Sequence, residues 1–191
     1  MSEIETQNLV VMPIAYPLDE FYARARRPLP SIRQVPRLEV PEPYRRLLCH
    51  DADMTPTLEN FHNATIHLRV LNSQQRDEAY YREVLLLLDK SNKAVEFGAI
   101  KINLNLFSHG AKRAILDENL PLGHVMADFH IRHTSRPKGF FKVVCDEFIA
   151  AALGEKIGAE LYGRRNTLFD PHHQPLAEIV EILPNLASSA Q

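Results

Sequence analysis

Glycine is scarce in this 191-residue chain, with 7 in all, and no Gly-x-Gly-x-x-Gly or other glycine-rich phosphate loop is present. Nucleotide binding by such a loop is therefore not expected. Cysteine is scarcer: there are two, Cys49 and Cys145. Thiols so far apart build neither a disulfide framework nor a Cys-x-x-Cys site, and both read as reduced, buried, small hydrophobes. There is no His-Glu-x-x-His and no Gly-x-Ser-x-Gly. The nine histidines, including the adjacent His172 and His173 and the pair His130 and His133, lack metal-ligand spacing, so no metal is expected. No run approaches the ~18 apolar residues of a membrane helix. Met1 to Val11 is acidic and lacks the basic-then-apolar layout of a signal peptide, so a cytoplasmic protein with no membrane span is expected. Charge of either sign is not in excess either: the net value is -2. The basic pair Arg164 and Arg165 is too small a patch to bind nucleic acid.

What the chain does have is proline, 13 residues in all, with Pro13, Pro17, Pro28, Pro30, Pro36, Pro41 and Pro43 in its first part. Proline breaks helices and strands. Residues 1–45 therefore read as a proline-rich arm over the domain surface, with one short helix from Leu18 to Arg27. Residues 46–191 read as a single domain. Hydrophobic residues make up 45% and charged residues 24%, which suits a globular fold with a real core.

Past the arm, Tyr44 to Cys49 reads as a short helix. Thr55 followed by Pro56 marks a helix start, with Met54 in the loop before it. From Ala64 the period changes to two: Ile66, Leu68 and Val70 alternate with Thr65, His67 and Arg69. Tyr80 to Leu88 is a second strand, on which Arg82 shares a face with Val84, Leu86 and Leu88. Lys90 to Lys93 turns the chain into a third strand, Val95 to Leu106, antiparallel to the second. Ala111 to Leu116 reads as a helix. Leu120 to Gly123 interrupts it, and another helical piece starts at His124. Phe140 to Val144 reads as a strand, while Asp146 to Leu153 fits strand or helix. Leu161 to Phe169 and Leu176 to Leu183 form a final hairpin around the turn Asp170 to Pro175. Strand runs with interspersed helices and no βαβ alternation predict an α+β fold with a mainly antiparallel sheet.

Three features carry possible chemistry. Arg82 lies on an apolar strand, where a guanidinium must be paired. Its partner is either an internal carboxylate, Glu83 or Glu181, or a carboxylate ligand suited to the planar fork. Glu181 lies in the apolar stretch Ile179 to Leu183 and is three positions from Glu178, so the two point to opposite faces. A carboxyl facing the core would have a raised pKa and serve as a general acid. Leu120-Pro-Leu-Gly123 holds a tight, non-helical backbone; it is either a plain turn or a source of free amides for an anion.

Four segments fall in an order shared with known proteins. These are Leu47 to Glu59 (LLCHDADMTPTLE), Tyr81 to Leu86 (YREVLL), Leu120 to Gly123 (LPLG), and the pair Leu161 to Asn166 (LYGRRN) and Gln174 to Glu181 (QPLAEIVE). Together they resemble the chorismate pyruvate-lyase family, in its divergent branch, from about Leu47 to Leu183. The resemblance implies an antiparallel sheet with helices on one side and a buried ligand pocket, and no metal or organic cofactor. It implies that Arg82 holds the ring carboxylate, that backbone groups at Met54 and Leu122 assist, and that Glu181 meets the hydroxyl end. It also implies an enzyme, a carbon-oxygen lyase in which Arg82 and Glu181 are catalytic. Its substrate would be chorismate, its products pyruvate and a hydroxybenzoate, most simply 4-hydroxybenzoate.

The chain departs from the best-known bacterial lyases between His130 and Gly154, and it has Ala99 where they have an arginine. Two alternatives follow. One is a non-catalytic aromatic-acid-binding protein of the same fold. The other is a lyase giving a different regioisomer or acting on a related enolpyruvyl ether. The fold also serves as an effector-binding domain in transcription regulators that carry a helix-turn-helix domain, and none is expected within these 191 residues.

Overall fold

The computed structural model describes residues 12–186; the Met1 to Val11 segment, read above for a leader, lies outside the described residues. The core element is a seven-stranded sheet in the order β1-β5-β6-β7-β4-β3-β2. Its strands are β1 (Ile32–Val35), β2 (Ile66–Arg76), β3 (Ala79–Leu88), β4 (Ala94–Asn103), β5 (Thr134–Val144), β6 (Glu160–Phe169) and β7 (Pro175–Leu183). Every neighbouring pair is antiparallel. The expected α+β class with an antiparallel sheet is the one observed.

Both faces of the central strands are buried, which explains their near-continuous apolar runs. One face packs on α1 (Leu18–Arg24) and α6 (Glu147–Leu153), through Leu18, Phe21, Ile149 and Leu153 against Leu85, Phe97 and Val180. The other is covered by α2 (Tyr44–Leu48), α3 (Met54–His62), α4 (His109–Leu116) and α5 (Leu122–Asp128). The stretch Asp146 to Leu153, which fitted either element, is helical for local reasons. The Asp146 carboxylate accepts from the Ile149 amide at 2.9 Å, and Gly154 ends the helix with φ of 71°.

Several boundaries differ from the sequence reading. The helix expected at Thr55 begins at Met54, with Asp53 as its N-cap. A proline is tolerated at the third helical position because the first amides of a helix have no intrahelical acceptor. Likewise α5 begins at Leu122 rather than at His124, directly after Pro121. The third strand ends at Asn103, and Leu104 to Leu106 form a 3-10 turn. The strand expected from Phe140 starts at Thr134; Pro137 is accommodated where the register with β6 shifts. The proline-rich stretch is not confined to the surface. Ile32 to Val35 pair with β5 as an edge strand, and Phe21 and Tyr22 are fully buried.

Candidate functional site

Antiparallel register places side chains of alternate residues in rows across the face under α2 to α5. Arg82, Ile100, Ile179 and Asn166 stand abreast on β3, β4, β7 and β6. The next row holds Val84, Gly98, Glu181 and Arg164. In the row beyond, Leu86 stands opposite Glu96. Rows are about 7 Å apart and strands about 4.8 Å. Above them lies a small, partly enclosed cavity of about 60 Å³. Its walls are mainly apolar, with Leu68, Val84, Ile100 and Ile179 among them, and its polar groups are few.

Arg82 is the first of these. It is 1% exposed, yet its Nε and Nη1 have no hydrogen-bond partner among the described residues. Nη2 donates to the Leu120 carbonyl at a long 3.4 Å. Burial pushes the guanidinium pKa down, and the nearby Tyr80 side chain and Glu118 carboxylate oppose this. Neither carboxylate considered as an internal partner serves. Glu83 is the next residue on the strand and faces the opposite way, and Glu181 is engaged elsewhere.

Glu181 is held by Arg164, its neighbour across the β6–β7 hairpin. Arg164 is fully buried and spends its remaining donors on the carbonyls of Leu48 (3.2 Å), His50 (2.9 Å) and Ala52 (3.3 Å). It thereby ties the segment leading into α3 to the sheet. As the spacing required, Glu178 points to the opposite face, where it accepts from Arg165 at 2.8 Å and Thr167 at 2.9 Å.

The carboxyl that burial favours in its protonated form is a different residue, Glu96. It is 5% exposed, lines the cavity, and its Oε2 has no partner among the described residues. Desolvation raises its pKa well above the ordinary value, Glu181 adds to the rise, and Arg164 counters it. Gly98 gives this carboxyl its room: a Cβ there would stand 3.1 Å from Glu96 Oε1. The linkage has a definite sign. Between the unfolded and the folded pKa the native state binds the extra proton, so stability falls as pH rises above about 4.5. Glu96→Gln should remove that slope, which is at most about 1.4 kcal/mol per pH unit. Urea unfolding at several pH values measures it; an unchanged slope would mean that Glu96 is ionised in the folded protein.

The roof is made where two helices begin. Met54 and Leu122 are the first residues of α3 and α5, and both line the cavity. No side chain caps α3, and its third residue is Pro56, so the Met54 and Thr55 amides lack intrahelical acceptors. The two starts touch at Gly123, where a Cβ would lie 2.9 Å from Thr55 Oγ1. At the rim, His133 Nε2 meets Asp53 Oδ2 at 2.9 Å, and this contact raises the His133 pKa.

All four residues singled out in the sequence, Met54, Arg82, Leu122 and Glu181, thus line one cavity. Arg164, Glu96 and Asn166 were not singled out. Asn166 also borders it, with Nδ2 donating to Ser135 Oγ at 2.9 Å and Oδ1 unpartnered among the described residues.

No protein-family model and no curated protein matches the chain. Solved structures do. PhnF from Mycobacterium smegmatis superposes with a TM-score of 0.52 at 12% identity, over 70% of this chain and 64% of that one. The effector domain of PhnF from Mycobacterium smegmatis gives 0.53 at 12% identity, over 70% and 88%. YydK from Bacillus subtilis, described as a possible transcriptional regulator, gives 0.50 at 9% identity, over 66% and 60%. This chain thus spans less than two thirds of the PhnF and YydK chains. The likeness is one of fold, the chorismate lyase-like α+β architecture.

These matches correct the expected activity. They are to an effector domain and a possible regulator, not to a lyase. The lyase reading falls, and with it chorismate as substrate, pyruvate and 4-hydroxybenzoate as products, and the catalytic roles of Arg82 and Glu181. The geometry agrees for Glu181, whose carboxylate is committed to Arg164 instead of standing free as an acid.

Proposed function

We propose that this chain is a non-catalytic binding domain for a small, flat carboxylic acid of aromatic type. The observation that carries the reading is Arg82: a buried guanidinium with two donor nitrogens unpartnered, facing an apolar cavity. A buried cation with no carboxylate in direct contact is costly, and a ligand carboxylate supplies both the charge and the planar acceptors that its fork fits. Met54 and Leu122, at the two helix starts, add backbone amides; the apolar walls take the ring. Glu181 contributes by holding Arg164 rather than by touching the acid group. The effector-domain description of the PhnF structure supports capture without conversion.

Calorimetric titration with benzoate and with benzamide, its neutral isostere, tests this. Charge-assisted hydrogen bonds are worth about 1.5–3 kcal/mol. Benzoate should therefore bind at one site and roughly 10- to 100-fold more tightly than benzamide. Equal affinity, or no binding of either, would overturn the proposal.

A further inference from the structure

The end of the cavity away from Arg82 is also polar, and its chemistry differs. Glu96 lies opposite Leu86, four residues along β3 from Arg82, or about 13 Å at the usual strand rise. Their side chains project over the same face and line the same cavity, so a single ring with one substituent at each end spans the gap. The guanidinium nearest Glu96 is Arg164, and it is fully used: its nitrogens donate to Glu181 and to three backbone carbonyls. Two buried carboxyls therefore share one cation, and none of that cation's donors is left for a ligand.

We infer that this inner end reads a neutral oxygen and rejects a second anion, with Glu96 as the residue that decides between them. The inference rests on the carboxylate-binding reading above and narrows its ligand class to monocarboxylates whose far end bears a carbonyl or hydroxyl. A Glu96 carboxylic acid donates its hydrogen to that oxygen. A ligand carboxylate in the same place would be a third acidic group beside Glu96 and Glu181, taken out of water with no free cation to meet it, which is strongly unfavourable. The charged groups facing Glu96 are Glu181 from β7, which with burial favours the proton on Glu96, and Arg164 from β6, which opposes it and is itself paired with Glu181. Gly98 keeps the space beside that carboxyl open.

The test uses three probes on the whole chain at pH 7: benzoate, 4-carbamoylbenzoate, and terephthalate, which is isosteric with the second but dianionic. Benzoate reports on the Arg82 end alone. The expected result is that 4-carbamoylbenzoate binds at least tenfold more tightly than terephthalate. In Glu96→Leu the gain of 4-carbamoylbenzoate over benzoate should disappear, with benzoate itself held within about threefold. In Glu96→Gln, which keeps a neutral donor, the gain should survive. Terephthalate binding as tightly as 4-carbamoylbenzoate, or a gain that persists in Glu96→Leu, overturns the inference while leaving the carboxylate reading intact. Failure of benzoate to bind overturns the proposed function itself, and this inference with it.

Discussion

Arg82→Met should lose carboxylate binding and yet melt at a higher temperature than the parent in the absence of ligand. The two effects have one cause. Arg82 is 1% exposed with Nε and Nη1 unpartnered among the described residues, so the desolvation cost of its charge is only partly offset in the ligand-free fold by Glu118, Tyr80 and the Leu120 carbonyl. Methionine fills similar space and asks for no partner. Replacing buried ionic groups by apolar ones of like volume has stabilised other folds by about 1–4 kcal/mol. A chain of this size gains roughly 2–4 °C per kcal/mol. Benzoate affinity should fall by roughly 10- to 100-fold, and the thermal shift produced by saturating benzoate should vanish. A lower melting temperature with benzoate binding retained would make Arg82 a structural residue. Such an exchange of stability for binding is the mark of a site built to receive a charge.

Much of this site was legible from alternation alone. Period two put Arg82 on the face of Val84 and Leu86, and the three-residue offset of Glu178 and Glu181 put one of them inward; both inferences match the rows observed. What alternation does not give is which charges meet. Arg164 was passed over as half of a basic pair. Counting outward from the turn between β6 and β7 sets Arg164 opposite Val180; a register shift between Leu168 and Phe169 moves its partner one residue on, to Glu181. Glu96 was harder to see. It sits beside a register shift between β3 and β4, near Leu86 and Leu87, where counting along the strand fails. Its environment comes from Gly98 and from strands far off in sequence. The expected start of α3 falls one residue late because Pro56 reads as a first helical residue, and that of α5 two residues late because Leu120 to Gly123 reads as a non-helical loop. Here Pro121 precedes its helix and Pro56 lies inside one, with Gly123 letting the two starts approach. The activity was misread for a different reason: a motif order fixes a fold and a pocket, while conversion of a ligand depends on which side chains are left free to react.

Arg164→Met should behave in the opposite way from Arg82→Met, although both arginines are almost completely buried. Arg164 is paired with Glu181 and holds the carbonyls of Leu48, His50 and Ala52. Removing it strands the Glu181 carboxylate beside Glu96 and frees the segment that carries Asp53 and Met54 into α3. Breaking one side of a buried pair costs about 3–5 kcal/mol, which corresponds to a fall of roughly 6–20 °C for a chain of this size. Adding Glu181→Met to Arg164→Met removes the stranded charge and should recover part of the loss. The remainder belongs to the three carbonyls, each left without its donor at about 1–3 kcal/mol where buried. The full cycle of two single variants and the double, followed by chemical denaturation, separates the pair energy from the carbonyl contacts. If the double variant is no more stable than Arg164→Met, the ion pair contributes nothing, and Arg164 acts only as a backbone clamp. A loss in Arg164→Met set against a gain in Arg82→Met would establish the division of labour within one sheet face. One guanidinium is satisfied by the fold, and the other is left for a ligand to satisfy.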